Sequence, residues 1–473
     1  MKLRSRLAVL ATVPIVLAAC SINVYEEGSF AGGGGGGGGE GAAVNQEPDT
    51  GEIAIAGAAS GDEANAIQGV IDEGVNDVQD EFTATYTGSD SFEQNVIIQI
   101  EGGTPPDIGF FPQPGTVIEQ AAQGNAIALE DMGFDIADLE ARFGEYLMSL
   151  GEYEGKHYGM PDTVNFKSAI WYNVPAFEDG GYEIPETWED LIALSDQMVA
   201  DGQTPWCIGT GSEAATGWPA TDWMEDIVLR QAGTDAYDAW VAGELPFSSP
   251  EITAAAESFG DIIFTEGYVF GGAENISSTD FRDAPDPMFN DPPNCLMHRQ
   301  ATFIPAFFPD GVVPFEDYDF FPFPTIDGNE GVLMAGGLAA IFSNRQEIVD
   351  FFDLYTSADV QCLYGKQENT TTMGANVDVS PDCYTQNELI GQASIPLAEA
   401  IAAGTARFDA SDLMPPAVGS GEFWNGMNEY TNDGPDNLEQ VLADIDAAFP
   451  SDGGGGGESE APSESEAASE SEG

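Results

Sequence analysis

The chain has 473 residues, with 12 Lys+Arg against 82 Asp+Glu, a formal net charge of −70, 42% hydrophobic residues and 28 Phe. That length exceeds one ordinary domain and suggests two or three, and the apolar content can fill a core, which excludes a globally disordered chain. The acidity excludes a nucleic-acid partner, because phosphate recognition needs clustered Lys and Arg.

Residues 1–20 read as a secretory leader. Lys2, Arg4 and Arg6 form a basic start, residues 7–17 form a short apolar run, and Leu17-Ala18-Ala19-Cys20 resembles the bacterial lipobox, in which Cys20 carries the lipid. The apolar run is too short to span a bilayer comfortably, and no second run of about 20 apolar residues follows. Residues 21–50, with consecutive glycines at 32–39, predict a Gly-rich tether. At the other end, 451–473 predict a disordered acidic Gly/Ser/Glu tail. The acids spread through the body as well, which fits a surface solvated in salty water where self-repulsion is screened.

Within the body, residues 52–56 predict a strand ending at Gly57, and 62–80 carry Ile67, Val70, Ile71, Val75 and Val78 close to helical spacing. Residues 82–87 alternate as a strand, 92–99 are helical or extended, and 107–111 read as a buried strand after Pro105-Pro106. Thr187 caps a helix with Asp190 three residues on, and Ile252, Ala255, Ala256, Phe259 and Ile263 mark another. Asn344 with Glu347 predicts a capping box before Ile348, Phe351, Phe352 and Tyr355, and residues 438–449 close the body as a helix. This alternation implies an α/β protein with a mostly parallel sheet covered by helices. Besides Cys20 there are Cys207, Cys295, Cys362 and Cys383, an even number suited to two disulfides in an oxidising compartment. Three pairings are open; we favour Cys207–Cys295 and Cys362–Cys383, the second closing a short loop. No CxxC spacing occurs and only His157 and His298 are present, so no metal site is expected.

Several segments resemble one family. Gly102-Gly103-Thr104-Pro105-Pro106-Asp107-Ile108 is similar to the turn and strand of sugar-binding proteins of ABC importers. Tyr158-Gly159-Met160-Pro161 followed by Ile170-Trp171-Tyr172-Asn173 resembles their first crossover between lobes. The most specific segments are Thr204-Pro205-Trp206-Cys207-Ile208-Gly209, Gly217-Trp218-Pro219-Ala220-Thr221-Asp222-Trp223, Cys295-Leu296-Met297-His298-Arg299-Gln300-Ala301, and residues 407–415 with Phe423-Trp424-Asn425-Gly426-Met427. Together they resemble the extracellular solute-binding proteins of the family 1 carbohydrate type, in particular the alpha-glucoside-binding subgroup.

The resemblance implies a two-lobed periplasmic-binding-protein fold of type II with a three-segment hinge. Lobe 1 would take 51–164 and 318–365, and lobe 2 would take 165–317 and 366–450. It implies a monomeric receptor, anchored outside the cell by its lipid, that captures an alpha-glucoside or related di- or oligosaccharide by cleft closure and delivers it to ABC permease subunits, with no cofactor and no catalysis. Aromatic rings suit the apolar face of a pyranose, and carboxylates, amides and Arg suit its hydroxyls. By resemblance Trp424 stacks on the sugar, Glu213 and Thr216 face the cleft, and Trp218 lies beside them. Phe307 follows Pro305 at a second crossover. Phe111 and Gln113, and also Asp62 and Glu63, follow strands at their carboxyl ends, where α/β folds present ligands. Asn165 and Lys167 sit at the first crossover, Asp90 on a loop, and Arg407 with Asp409 in one motif. His298 reads as a satisfied buried histidine. The rivals are a secreted carbohydrate-active enzyme and a binding protein for a different small solute; 82 acids always supply a carboxylate pair, but no GxSxG or HExxH element is present.

Overall fold

The computed structural model describes residues 46–450 apart from 368, 369 and 371. The leader, Cys20, the tether up to residue 45 and the acidic tail lie outside the described residues. Residues 46–50, expected in the tether, are held against the body. The Glu47 N–H donates to the Asn344 carbonyl at 2.7 Å, and the Thr50 and Gly51 N–H groups donate to the Glu347 carboxylate at 3.1 and 2.9 Å. Glu347 therefore does not close a capping box with Asn344; the helix Gln346–Tyr355 starts with Arg345 at its N-cap. Thr187 does cap its helix, accepting from the Asp190 N–H at 3.2 Å.

A seven-stranded sheet organises the first half of the structure. Ile53 and Ile55 alternate with exposed Glu52 and Ala54, and Ala84 and Tyr86 alternate in the neighbouring strand, so each strand buries one face. Glu52–Gly57 pairs in parallel with Thr83–Gly88 and with Ile108–Phe111. The next two strands change the pattern. Val332–Ile341 runs antiparallel to Ile108–Phe111 and to Gly159–Phe166, so the sheet is mixed and not mostly parallel as expected. The chain leaves the sheet for the other half after Gly159–Phe166 and re-enters it in the opposite direction as Val332–Ile341.

A second, three-stranded sheet centres on Ala169–Asn173, flanked by Met297–Arg299 and Tyr318–Pro322. Its alternate side chains face different cores. Ile170, Met297 and Phe321 join Trp206, Trp223, Trp240 and Phe259, while Trp171 and Tyr318 join the core of the large sheet. The chain passes between sheets at Lys167 and Ser168, returns between Pro322 and Val332, and leaves again after Phe408. The third passage is later than expected. Residues 366–408, assigned above to lobe 2, pack on the first core through Met373, Leu389, Ile390, Ala393 and Leu397. Conversely, Tyr318–Pro322, assigned to lobe 1, pairs with Ala169–Asn173. A surface-style periodicity reads burial but not which core receives it.

Both favoured disulfides are present: Cys207–Cys295 and Cys362–Cys383, with Cα–Cα separations of 5.4 and 5.3 Å. Among the described residues no helix is long and apolar enough to cross a membrane. Trp223 sits at the centre of the second core, its ring 5.0 Å from Trp206 and 5.9 Å from Phe259. Trp223→Ala is expected to lower the unfolding free energy by ~3–5 kcal/mol in a urea titration. An unchanged midpoint would show that this core does not hold the second half together.

Candidate functional site

The carboxyl ends of the parallel strands meet the second half of the chain at a cavity of about 290 Å³. One wall comes from the large sheet: Ser60 and Glu63 after the first strand, Tyr86 in the second, Glu93 on the helix Phe92–Glu101, and Phe110 and Gln113 at the end of the third. Open α/β sheets place ligands at this end because the loops there are not needed for the core. Asp162 and Asn165 extend the floor along the strand Gly159–Phe166. Burial pushes the Asp162 carboxyl up to about 7, opposed by the hydroxyl of Tyr355, which donates to it.

The facing wall is aromatic. Trp218 meets Phe281 edge-on at 5.0 Å and Phe303 at 5.9 Å, and Phe281 meets Phe307 at 5.7 Å. Arg282 lies over Phe281 at 4.9 Å and reaches Asp90 of the opposite wall at 3.4 Å. Trp424 follows a π-helical turn, Ala417–Phe423, and donates its ring N–H to the Ser411 hydroxyl at 3.0 Å. Two glycines allow this approach. A Cβ on Gly419 would strike the Ser411 carbonyl, and Gly217, at φ +115°, lies against the Trp424 backbone.

A buried ionic network lies beneath. The Lys167 ammonium donates to Asp222 at 2.8 Å and to Asp409, and sits 5.3 Å from the centre of the Trp218 ring. Arg299 bridges Asp222, at 2.9 Å, to Asp226, and Asp226 also holds Arg230 at 2.6 Å and the Ser168 hydroxyl at 2.6 Å. Burial raises Asp226 and Asp409, but Arg299 with Arg230 outweighs it at the first, and Lys167 outweighs it at the second; both stay below the usual carboxylate range. Burial pushes Asp222 up to about 6 against Lys167 and Arg299, which leaves it ionised at neutral pH. Burial and then the neighbouring Asp409 push Glu225 and Asp412 well above the usual range. Three cations thus lie among five buried acids. Asp222, Glu225 and Asp409 carry oxygens close enough to hold a cation, within 4.8 Å of one another. The Lys167 ammonium already bonds two of the three, so the cluster is neutralised from within.

Of the residues named from sequence, Trp424, Trp218, Phe307, Glu63, Gln113 and Asn165 border the cavity, together with Asp90, Lys167 and Asp409. Glu213, Thr216, Asp62, Phe111 and Arg407 do not. Phe111 is fully buried between Phe92 and Phe342, because its side chain points to the opposite face of the strand from Phe110. Arg407 binds Asp238 at 2.6 Å outside the cavity. Asp62 is exposed in the first turn of its helix. Glu213 and Thr216 form the outside of a short turn whose inner residues, Ser212 and Ala215, face the cavity. His298 is buried, with its Nδ1 at 2.8 Å from the Cys207 carbonyl. Sequence reasoning missed Tyr86, Glu93, Asp162, Phe281, Arg282 and Asp412. Asp412 lay inside a quoted motif and could have been found; the others sit on elements whose inward face emerges only once the strands pair. A second hollow, of about 460 Å³, runs along Glu52–Ala54 and Thr83–Thr87 and has no aromatic lining.

Residues 58–361 match the family described as bacterial extracellular solute-binding protein. The chain is 39% identical to the alpha-glucosides-binding periplasmic protein AglE of Rhizobium meliloti, over 77% of this chain and 80% of that one. It is 34% identical to the osmoprotective compounds-binding protein GgtB of Synechocystis, over 87% of this chain and 95% of that one. Among solved structures, a chitin oligosaccharide binding protein aligns with a TM-score of 0.67 at 17% identity, covering 84% of this chain and 99% of that one. The cyclic alpha-maltosyl-1,6-maltose binding protein of Arthrobacter globiformis aligns at 0.61 and 18%, covering 84% and 97%. The fold is the two-lobed α/β fold of these neighbours.

The raised acids give a pH dependence with a definite sign. Glu225, Asp412 and Asp162 bind protons at higher pH in the folded chain than in the unfolded one, so each contributes stability that is full below the ordinary carboxylate range and is lost as pH rises through its raised value. In ~1 M salt, which screens the surface charge to about 3 Å, the melting temperature is expected to be higher at about pH 5.5 than at about pH 8.5. Glu225→Gln should narrow that gap. His298, held at about 4 by burial, favours the higher pH and cancels part of the gap, so the variant decides: an unchanged gap in Glu225→Gln would contradict the raised value of Glu225.

Proposed function

We propose that this chain, which belongs to the bacterial extracellular solute-binding proteins, captures an alpha-glucoside or a related small saccharide outside the cytoplasm and hands it unaltered to the permease of an ABC importer. The observation that carries this reading is the 290 Å³ cavity between a ring-lined wall and an acid-lined one. A pyranose presents C–H groups on its faces and hydroxyls at its edge, so rings cover the one and carboxylates pair the other. The volume lies at the small end of ligand pockets, ~300–1,000 Å³, and favours a mono- or disaccharide over a longer chain. In this reading the two halves close about the three passages at 167–168, 322–332 and 408–410, and the Arg282–Asp90 pair holds the mouth shut. The lipid on Cys20 and the glycine run keep a monomeric receptor at the outer face of the membrane.

A second solute class has its own support. The relative matched over 95% of its length is an osmoprotective compounds-binding protein, and a net charge of −70 suits a saline medium. Small neutral polyhydroxyl osmolytes would meet the same wall chemistry.

Trehalose, maltose and sucrose separate capture from catalysis. At least one should raise the melting temperature and be recovered intact by chromatography after prolonged incubation. Release of monosaccharide would establish a glycosidase, and the absence of any shift would overturn the sugar reading. For Trp424→Ala, calorimetry is expected to show a loss of ~1–2 kcal/mol, about tenfold in affinity. An unchanged dissociation constant would remove Trp424 from the site.

A further inference from the structure

The cavity is rich in acceptors, and its cations are already paired. The Gln113 Oε1 and Asn165 Oδ1 atoms are buried without a hydrogen-bond partner, and Gln113 as a residue is only 7% exposed. Glu93, Asp162 and Asp412 add carboxyl groups along the same lining. The cations of the lining, and two of its other donors, are already committed. Lys167 serves Asp222 and Asp409, Arg282 serves Asp90, Trp424 serves Ser411, and the Tyr86 hydroxyl donates to the Ala59 carbonyl at 3.1 Å. No arginine of the described residues is left over for an anion, since each is ion-paired with an acid of the chain.

We propose that the cleft selects its solute by charge: it takes neutral and amine-bearing sugars and turns away sugar acids and sugar phosphates. The inference rests on the sugar reading above and sharpens it. A ligand carboxylate or phosphate would enter a partly desolvated site beside Glu93 and Asp412, with no bidentate cation to receive it. A ligand hydroxyl donates to these acceptors, and a ligand ammonium donates more while offsetting the carboxylates. The raised values of Glu93 and Asp412 have burial as their main cause, and each also feels a neighbouring acid. A ligand cation beside either carboxyl would offset that repulsion.

The test is calorimetry on the full mature chain with two matched sets of probes: glucose, glucosamine and glucuronate, and trehalose, 6-amino-6-deoxytrehalose and trehalose 6-phosphate. Measurements at about 0.15 and 1 M NaCl separate the cleft from the whole-molecule charge, because the screening length falls from about 8 to about 3 Å. In whichever set the neutral sugar binds, the amine is expected to bind at least as tightly, and the anion to bind more than about tenfold more weakly at both salt concentrations. An anion within tenfold of its neutral parent at 1 M salt, or an amine weaker than that parent, overturns the charge selection alone. Failure of both neutral sugars to bind overturns the sugar reading, and the selection with it. In Glu93→Gln with Asp412→Asn the ratio of neutral-sugar to anion affinity should fall at least about fivefold, whatever the change in neutral binding itself; an unchanged ratio contradicts a role for these acids. Should the double variant melt early, Glu93→Gln alone, at a half-buried position, carries the same comparison with a smaller reduction.

Discussion

Charge buried beneath the cavity is the constraint on which the rest of the structure depends. Lys167, Arg230 and Arg299 lie out of water among five acids, and each must be matched for the chain to fold. The network touches every passage between the two halves. Lys167 and Ser168 belong to the first, the Ser168 hydroxyl accepts from the Leu333 N–H just after the second, and Asp409 with Ser411 starts the third. Apolar packing is tolerant of small displacements. A closed set of short ionic contacts is not, so the three strands of the hinge have a definite relative position. Removing one member of such a set leaves an uncompensated charge and typically costs ~3–5 kcal/mol.

The same network reaches the cavity surface. Ser411 links Asp409 to the Trp424 ring, and Lys167 stands against Trp218. The two indoles are thereby oriented from below by polar contacts, while Phe281 and Phe303 pack Trp218 from the side. The chain has only 12 basic residues, three of them at positions 2, 4 and 6, and it places four of the rest in its interior, Arg345 being the fourth. The exterior keeps most of the acids. Scarcity of cations outside and their concentration inside are two aspects of one composition: a strongly acidic surface suits screening by salt, and the interior supplies its own counter-charges.

Much of the architecture was legible because burial has a period. Ile53/Ile55 and Ala84/Tyr86 declared strands, Ile252, Ala255, Phe259 and Ile263 declared a helix, and Thr187 declared the start of another. Direction was less legible. Whether Val332–Ile341 enters parallel or antiparallel depends on which strand it meets, and that partner is more than a hundred residues away. The tether end was misread for a similar reason, since Thr50 and Gly51 are fixed by Glu347, a residue remote in sequence. At the site, the family resemblance pointed to Trp424 and Trp218, which border the cavity. One position of register decided the others: Phe110 faces the cavity and Phe111 the core, and Glu63 borders the cavity while Asp62 meets solvent.

The most direct measurement is a crystal structure of the chain with the sugar that most raises its melting temperature. Density for that sugar between the Trp218 and Trp424 side and the Asp162 side, with its hydroxyls on the Asp412 and Gln113 oxygens, is the predicted result. Density at any other surface, with the cavity between the halves occupied only by solvent, would contradict a cleft-bound solute.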